Sequence, residues 1–163
     1  MSRSVESLRR IVQYLPSANL LTQKPTVDDP FVEILKGHLI VEAALTDICN
    51  HLLKTPSALA RGQISFAVRL DIVLALLDED ELPSRLVAAI RCLNRIRNSL
   101  AHRLEVDYET ELQQFFEHCS SFDDVVNAGD SLARRVTGCI AFICGALESR
   151  LEGTSLRITQ EVP

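Results

Sequence analysis

Residues 83–102, PSRLVAAIRCLNRIRNSLAH, form the stretch of the sequence that decides the fold. Large apolar side chains recur in it at the three- and four-residue spacing that places them on one face of an α-helix. These residues are Leu86, Ala89, Ile90, Leu93, Ile96 and Leu100. Pro83 suits the first helical turn, where its missing amide proton costs no hydrogen bond. The pattern predicts a helix that runs to about His102 and packs through this face.

The same periodicity predicts further helices on both sides of this one. We place them at residues 4–15, 30–54, 65–77, 107–118 and 131–151. With 163 residues, the chain is long enough to bury one core. Its apolar content of 47%, without tryptophan, suits packed helices. We therefore predict an all-α fold, a compact bundle of about five or six helices with two long antiparallel ones. Its parts are an N-terminal helix and connector at 1–29, a helical domain at 30–152 and a flexible tail at 153–163.

Positive charge is concentrated in and just after the 83–102 helix. Residues 84–104 contain no acid and five arginines, which are Arg85, Arg91, Arg95, Arg97 and Arg103. The whole chain has a formal charge of -5, so the rest of it is five units more negative, about -10. A protein with this acidic balance is not expected to coat nucleic acids non-specifically. The distribution instead favours one local basic surface.

Several function classes are not supported by the sequence. Five cysteines, none with C-x-x-C spacing, are expected to be reduced core residues. Cysteines and histidines show no spacing typical of a metal site, and there is no Walker loop, G-x-G-x-x-G, H-E-x-x-H or G-x-S-x-G motif. No apolar run reaches the ~18 residues needed to span a bilayer, and the N-terminus lacks a signal-peptide pattern. We therefore expect a cytoplasmic protein with no metal, no cofactor and no membrane contact.

The polar side of the 83–102 helix carries a candidate site. Successive residues of an α-helix are about 100° apart. Four polar side chains therefore lie within about 60° of one another, opposite the apolar face: Arg91, Arg95, Asn98 and His102. Arg97 lies about 140° from His102, on the flank of the apolar face. Either the helix unwinds just before His102, or Arg97 and His102 meet across a subunit boundary.

Arg97 and His102 each allow a structural interpretation as well as a functional one. A guanidinium at the edge of a core needs a carboxylate or an anionic ligand, because an unpaired buried charge is costly. Glu42, within the apolar stripe of the 30–54 helix, is a candidate partner, and an Arg97–Glu42 ion pair could simply fix the helix register. His102 could stabilise the C-terminal end of its helix as a cation. It could equally transfer protons near neutral pH.

The sequence RNSLAH, residues 97–102, resembles the signature of the HEPN superfamily, an arginine followed by four to six residues and a histidine. Arg97, Asn98 and His102 match it with four intervening residues, and the resemblance covers about residues 30–150. HEPN proteins are small all-helical domains. Many are metal-independent ribonucleases that act as dimers in toxin-antitoxin, abortive-infection and CRISPR-linked defence systems. The resemblance implies that these three residues are catalytic and that both subunits line one cleft.

The resemblance also implies partners and supporting residues. RNA would be the substrate, cut to leave 2′,3′-cyclic phosphate ends, and an antitoxin or a defence-system protein would be a possible partner. The basic residues around the motif, Arg91, Arg95 and Arg103, would bind RNA. Glu42 would support the site, although Thr46 stands where some members carry a basic residue four positions after such a glutamate.

Two alternatives to a ribonuclease stay open. One is a catalytically silent HEPN-like module that binds a nucleotide, RNA or a protein partner, and the missing basic residue after Glu42 favours it. The other is a purely structural dimerisation scaffold.

A further departure concerns the subgroup silenced by nucleotidylation of a tyrosine two residues after the histidine. Here that position is Leu104 and the nearest tyrosine is Tyr108, so this modification is not expected.

Overall fold

The computed structural model describes residues 28–60, 64–77, 82–102, 108–120 and 129–160. In these ranges the backbone forms six helices and no strand. The helices are α1 Pro30–Leu52, α2 Ser57–Ala60, α3 Phe66–Leu76, α4 Ser84–His102, α5 Tyr108–Cys119 and α6 Leu132–Gln160. The predicted all-α bundle is therefore confirmed over this part of the chain. The helix predicted at 4–15 and the connector through residue 27 lie outside the described residues.

Local capping explains where the first long helices begin. The Asp29 carboxylate accepts a hydrogen bond from the Phe31 amide at 2.8 Å, and Pro30 occupies the first helical position of α1. Ser65 caps α3 in the same way by accepting from the Val68 amide at 3.3 Å. The C-terminal end of α6 differs from the prediction, which ends this helix at residue 151. It continues to Gln160, so the backbone is helical through most of the segment predicted as a tail.

The core lies where α1 packs against α3, α4 and α6, while α4 also packs against α5. α4 buries the apolar face that the sequence predicts, with Leu100 only half-buried at its end. Its fully buried members are Leu86, Ala89, Ile90, Leu93 and Ile96. Each such leucine or isoleucine contributes roughly 1.5–3 kcal/mol of transfer free energy. This face fixes the rotation of α4, so its opposite side is held toward solvent.

The closest approach between α1 and α6 is at Gly37. A Cβ atom added there would lie 2.6 Å from Ile140 Cγ1 and closer still to Cδ1, so only hydrogen fits. One turn earlier, the Thr137 hydroxyl donates to the buried Glu33 carboxylate at 3.3 Å. A Cβ at Gly145, further along α6, would meet no atom within 4 Å. The two helices are therefore in direct contact along the N-terminal half of α1.

The five cysteines are free and buried, which confirms the predicted core role. Burial raises the pKa of the Cys49 and Cys92 thiols. Burial, with the nearby Glu148 charge, raises the pKa of Cys144 to about 12. These side chains are therefore protonated at neutral pH and behave as small apolar groups. None of the described helices is both long enough and apolar enough to cross a membrane.

Candidate functional site

α4 presents a continuous polar stripe to solvent. The stripe consists of Arg91, Arg95, Asn98 and His102, and all four side chains are exposed. The backbone stays helical through Ser99 and Ala101 to His102, so the helix does not unwind at the motif. Local unwinding, one of the two predicted ways to bring Arg97 and His102 together, is therefore wrong.

Arg97 reaches the polar stripe from its flank. Its backbone position faces the edge of the core, and its side chain is half-buried. The Arg97 Nη1 atom nevertheless donates a hydrogen bond to Asn98 Oδ1 at 3.1 Å. The guanidinium is thus held on the solvent side of α4, beside the stripe. His102, one turn further on, has no hydrogen bond or ion pair with any residue in the described ranges.

The other two cations of the stripe have partners on neighbouring helices. Arg91 Nη2 lies 3.4 Å from Asp71 Oδ1 of α3, and the two side chains are 62% and 63% exposed. Such a solvated ion pair contributes little stability and exchanges easily for another anion. Arg95 Nη2 donates to Gln114 Oε1 of α5 at 2.7 Å. Arg103, the third predicted RNA-binding arginine, lies outside the described residues.

Glu42 does not pair with Arg97. Its Oε1 atom lies 2.5 Å from Arg69 Nη1 of α3, with the two side chains 32% and 18% exposed. The predicted apolar stripe on this helix is also wrong, because Leu35 and Leu39, which should share it with Glu42, are 45% and 65% exposed. The true core face lies to one side of them, so Glu42 lies at the edge that meets α3. The candidate Arg97–Glu42 ion pair is thereby excluded, and Glu42 ties α1 to α3 instead.

A buried histidine beneath the stripe was not predicted as a site residue. His38 of α1 is only 4% exposed, and its ring stacks on Phe66 of α3 with centroids 4.3 Å apart. Its Nε2 atom lies 3.1 Å from Asn94 Oδ1 of α4. His38 therefore contacts α3 and α4 at once, and its partner on α4, Asn94, lies one turn before Arg97 and Asn98.

The environment of His38 favours its neutral form. Burial of the ring is the main cause that lowers its pKa, and the positive charge of Arg97 acts in the same direction. The hydrogen bond with Asn94 and the negative charge of Glu42 act in the opposite direction but do not outweigh burial. The Glu42–Arg69 and His38–Asn94 pairs together form a polar layer where α1 meets α3 and α4.

One sequence signal could have pointed to this layer. Asn94 precedes Arg97 and Asn98 by three and four residues, the spacing at which helical side chains become neighbours. His38 likewise precedes Glu42 by four residues. In the sequence, His38 is one of the histidines that lack metal-site spacing, and no other role is predicted for it. Among the described residues, no three histidine, cysteine, aspartate or glutamate side chains are grouped so as to hold a metal ion.

Comparisons of the chain with protein-family models, with curated protein sequences and with solved structures gave no match. The site must therefore be interpreted from its own geometry. It offers one exposed imidazole, one guanidinium held on an amide, and two further cations along about three turns of helix. This combination suits a phosphate-bearing ligand, because guanidinium groups bind phosphate oxygens through paired hydrogen bonds.

Proposed function

We propose that this protein is a metal-independent endoribonuclease of the toxin or antiphage-defence type that acts in the cytoplasm as a homodimer. The observation that carries the proposal is the α4 stripe, in which Asn98 holds Arg97 at the surface and leaves His102 exposed one turn further on. The resemblance of RNSLAH to the HEPN signature supplies the reaction class. An antitoxin or another defence-system protein is the corresponding regulatory partner.

The proposed reaction breaks one P–O5′ bond of RNA. A base removes the proton of a ribose 2′-hydroxyl, and the oxygen attacks the adjacent phosphorus. The new O2′–P bond closes a 2′,3′-cyclic phosphate as the P–O5′ bond breaks, and an acid donates a proton to the leaving 5′-oxygen. Arg97 and Asn98 stabilise the negative charge that grows on the phosphoryl oxygens. Arg91 and Arg95 bind the flanking phosphates, and Arg103 adds to them.

The chemistry explains why two copies of the chain are needed. The base and the acid act at opposite sides of the phosphorus, and His102 is the one histidine of the described stripe. A two-fold dimer that faces the two α4 stripes together supplies two histidines and two copies of Arg97.

Cleavage of end-labelled RNA by purified wild type and His102→Ala, both in EDTA, tests the proposal. We expect wild type to cut and to leave 2′,3′-cyclic phosphate, and His102→Ala to lose at least about a hundredfold in rate, as for loss of a general acid-base group. His118→Ala is the matched control, because His118 belongs to α5 and is not part of the α4 stripe, so its loss should leave cleavage unchanged. Equal cutting by wild type and His102→Ala would mean that His102 has no catalytic role.

A specific observation supports a second candidate, the catalytically silent HEPN-like binding module. All three described cations near the motif already have side-chain partners, namely Asp71, Gln114 and Asn98. The positions of these three side chains therefore do not depend on a bound substrate. If neither wild type nor His102→Ala cuts RNA, but oligonucleotide or nucleotide raises the melting temperature of wild type, the binding module is the better description.

A further inference from the structure

We propose that His38 is a positioning residue of the candidate site and acts through Asn94. By holding the Asn94 side-chain carbonyl toward α1, His38 leaves Asn98 as the acceptor for the Arg97 guanidinium, on the exposed side of α4. The consequence for RNA cleavage rests on the proposed function. The arrangement of the side chains can be tested without it.

The direction of the His38–Asn94 hydrogen bond follows from its atoms. Nε2 of His38 and Oδ1 of Asn94 are 3.1 Å apart. A carbonyl oxygen only accepts, so the ring must donate and the neutral imidazole carries its proton on Nε2. The 4% exposure of His38 and its stacking on Phe66 hold the ring in one orientation. The Asn94 carbonyl is therefore held toward α1.

Asn94 could accept a hydrogen bond from the Arg97 guanidinium in place of Asn98. At about 100° per residue, Arg97 and Asn98 lie about 60° and 40° to either side of Asn94, one turn further along α4. Side chains on a helix lean toward its N-terminus, so Arg97 extends over the turn that contains Asn94. In the structure it instead donates to Asn98 Oδ1 at 3.1 Å. Because His38 holds the Asn94 carbonyl toward α1, we infer that Arg97 uses Asn98 as its acceptor instead.

The charges around His38 favour the same outcome. Arg97 lies close enough for its positive charge to lower the pKa of His38, and Glu42 close enough to raise it. Glu42 is held by Arg69 of α3 and is not available to Arg97. The two acceptors nearest to His38 in this set, Asn94 and Glu42, thus bond to residues other than Arg97. The guanidinium is left to the exposed side, where a phosphate can reach it.

Four variants of the full-length chain test this role. His38→Leu frees the Asn94 carbonyl, whereas His38→Gln keeps an N–H donor close to the Nε2 position. The double variant His38→Leu/Asn94→Leu removes the freed acceptor as well. Asn94→Asp leaves His38 in place but offers Arg97 a carboxylate at a half-buried position of α4, where the substitution does not disturb the apolar core.

Two measurements are made on each variant: RNA cleavage, and the nitrogen-15 NMR signals of the Arg97 guanidinium and the Asn98 side-chain amide. We expect His38→Leu and Asn94→Asp to shift both signals and to lower kcat on the order of tenfold or more, as small misplacements of catalytic groups do. His38→Gln should match wild type. The double variant should recover the wild-type signals and most of the kcat. A purely structural His38 would instead make the double variant worse than His38→Leu.

The two measurements separate this inference from the ribonuclease proposal. If the Arg97 and Asn98 signals move as expected but wild type cuts no RNA, the positioning role stands and the ribonuclease proposal fails. If wild type cuts RNA but the signals and the rate are unchanged in both His38→Leu and Asn94→Asp, the positioning role is overturned and the ribonuclease remains. A His38→Leu protein that does not fold leaves Asn94→Asp and His38→Gln to decide.

Discussion

Burial of His38 makes the stability of the fold depend on pH. Because burial lowers the pKa of His38 below 6.5, its ordinary value, the unfolded chain takes up a proton at a higher pH than the folded chain does. Stability rises with pH wherever the unfolded state binds more protons. The contribution of His38 is therefore fully present above the unfolded pKa. It is lost as the pH falls from there toward the folded pKa.

We expect the free energy of unfolding to fall more steeply in wild type than in His38→Gln as the pH drops from about 7.5 to about 5.5, because glutamine cannot take up the proton. A single group contributes a slope of at most about 1.4 kcal/mol per pH unit. Urea unfolding at several pH values measures this difference, since the other titrating groups are common to both proteins. Parallel curves for the two proteins would contradict a neutral, buried His38.

At the scale of helices, two glycines test the packing of α1 and α6. Gly37 lies against the buried Ile140 side chain, where a Cβ would lie within 2.6 Å of Cγ1. We expect Gly37→Ala to lower the free energy of unfolding by about 1–3 kcal/mol, as overpacking of a well-packed core does. Gly145→Ala is the matched control, because its Cβ would meet no atom within 4 Å. It should stabilise the protein by about 0.5–1 kcal/mol through helix propensity.

Urea unfolding of the two alanine variants measures both effects under one condition. Opposite signs would confirm that α1 and α6 touch at Gly37 and that the protomer leaves space at Gly145. A stabilising Gly37→Ala would mean that the two helices are further apart than the Gly37–Ile140 contact requires. A destabilising Gly145→Ala would mean that another surface covers that side of α6.

The sequence was sufficient to predict the helices but not their partners. The starts of α1 and α3 follow from local signals, the Asp29 and Ser65 caps, and the buried face of α4 follows from its periodicity. The stripe on the opposite side of α4 is a consequence of the same periodicity. Spacing within one helix does not specify which helix it meets, however. From the sequence, Glu42 is only a candidate partner of Arg97, whereas its partner in the structure is Arg69, and the contact between His38 and Asn94, 56 residues apart, is not predicted.

At the scale of the whole molecule, the proposed ribonuclease is a dimer in which the two α4 stripes face one shared ligand. The chain is acidic overall, and its arginines are concentrated in and after α4. Two such stripes would repel each other without an anion between them, and a phosphate backbone supplies that anion. The dimer would then require one His102 from each copy to cleave RNA. Mixed dimers that carry one His102 and one alanine should be inactive.

Subunit mixing tests whether both copies of His102 are needed. The concentration of wild type is held fixed and a threefold excess of His102→Ala is added. After random subunit exchange in a two-fold dimer, about a quarter of the wild-type chains remain in wild-type dimers. We therefore expect RNA cleavage to fall to about a quarter of its starting rate. His118→Ala, added in the same excess, is the control, and it should increase cleavage because its own stripe is intact. Cleavage that stays constant when His102→Ala is added would mean that each chain carries a complete site, since exchange then inactivates no wild-type copy.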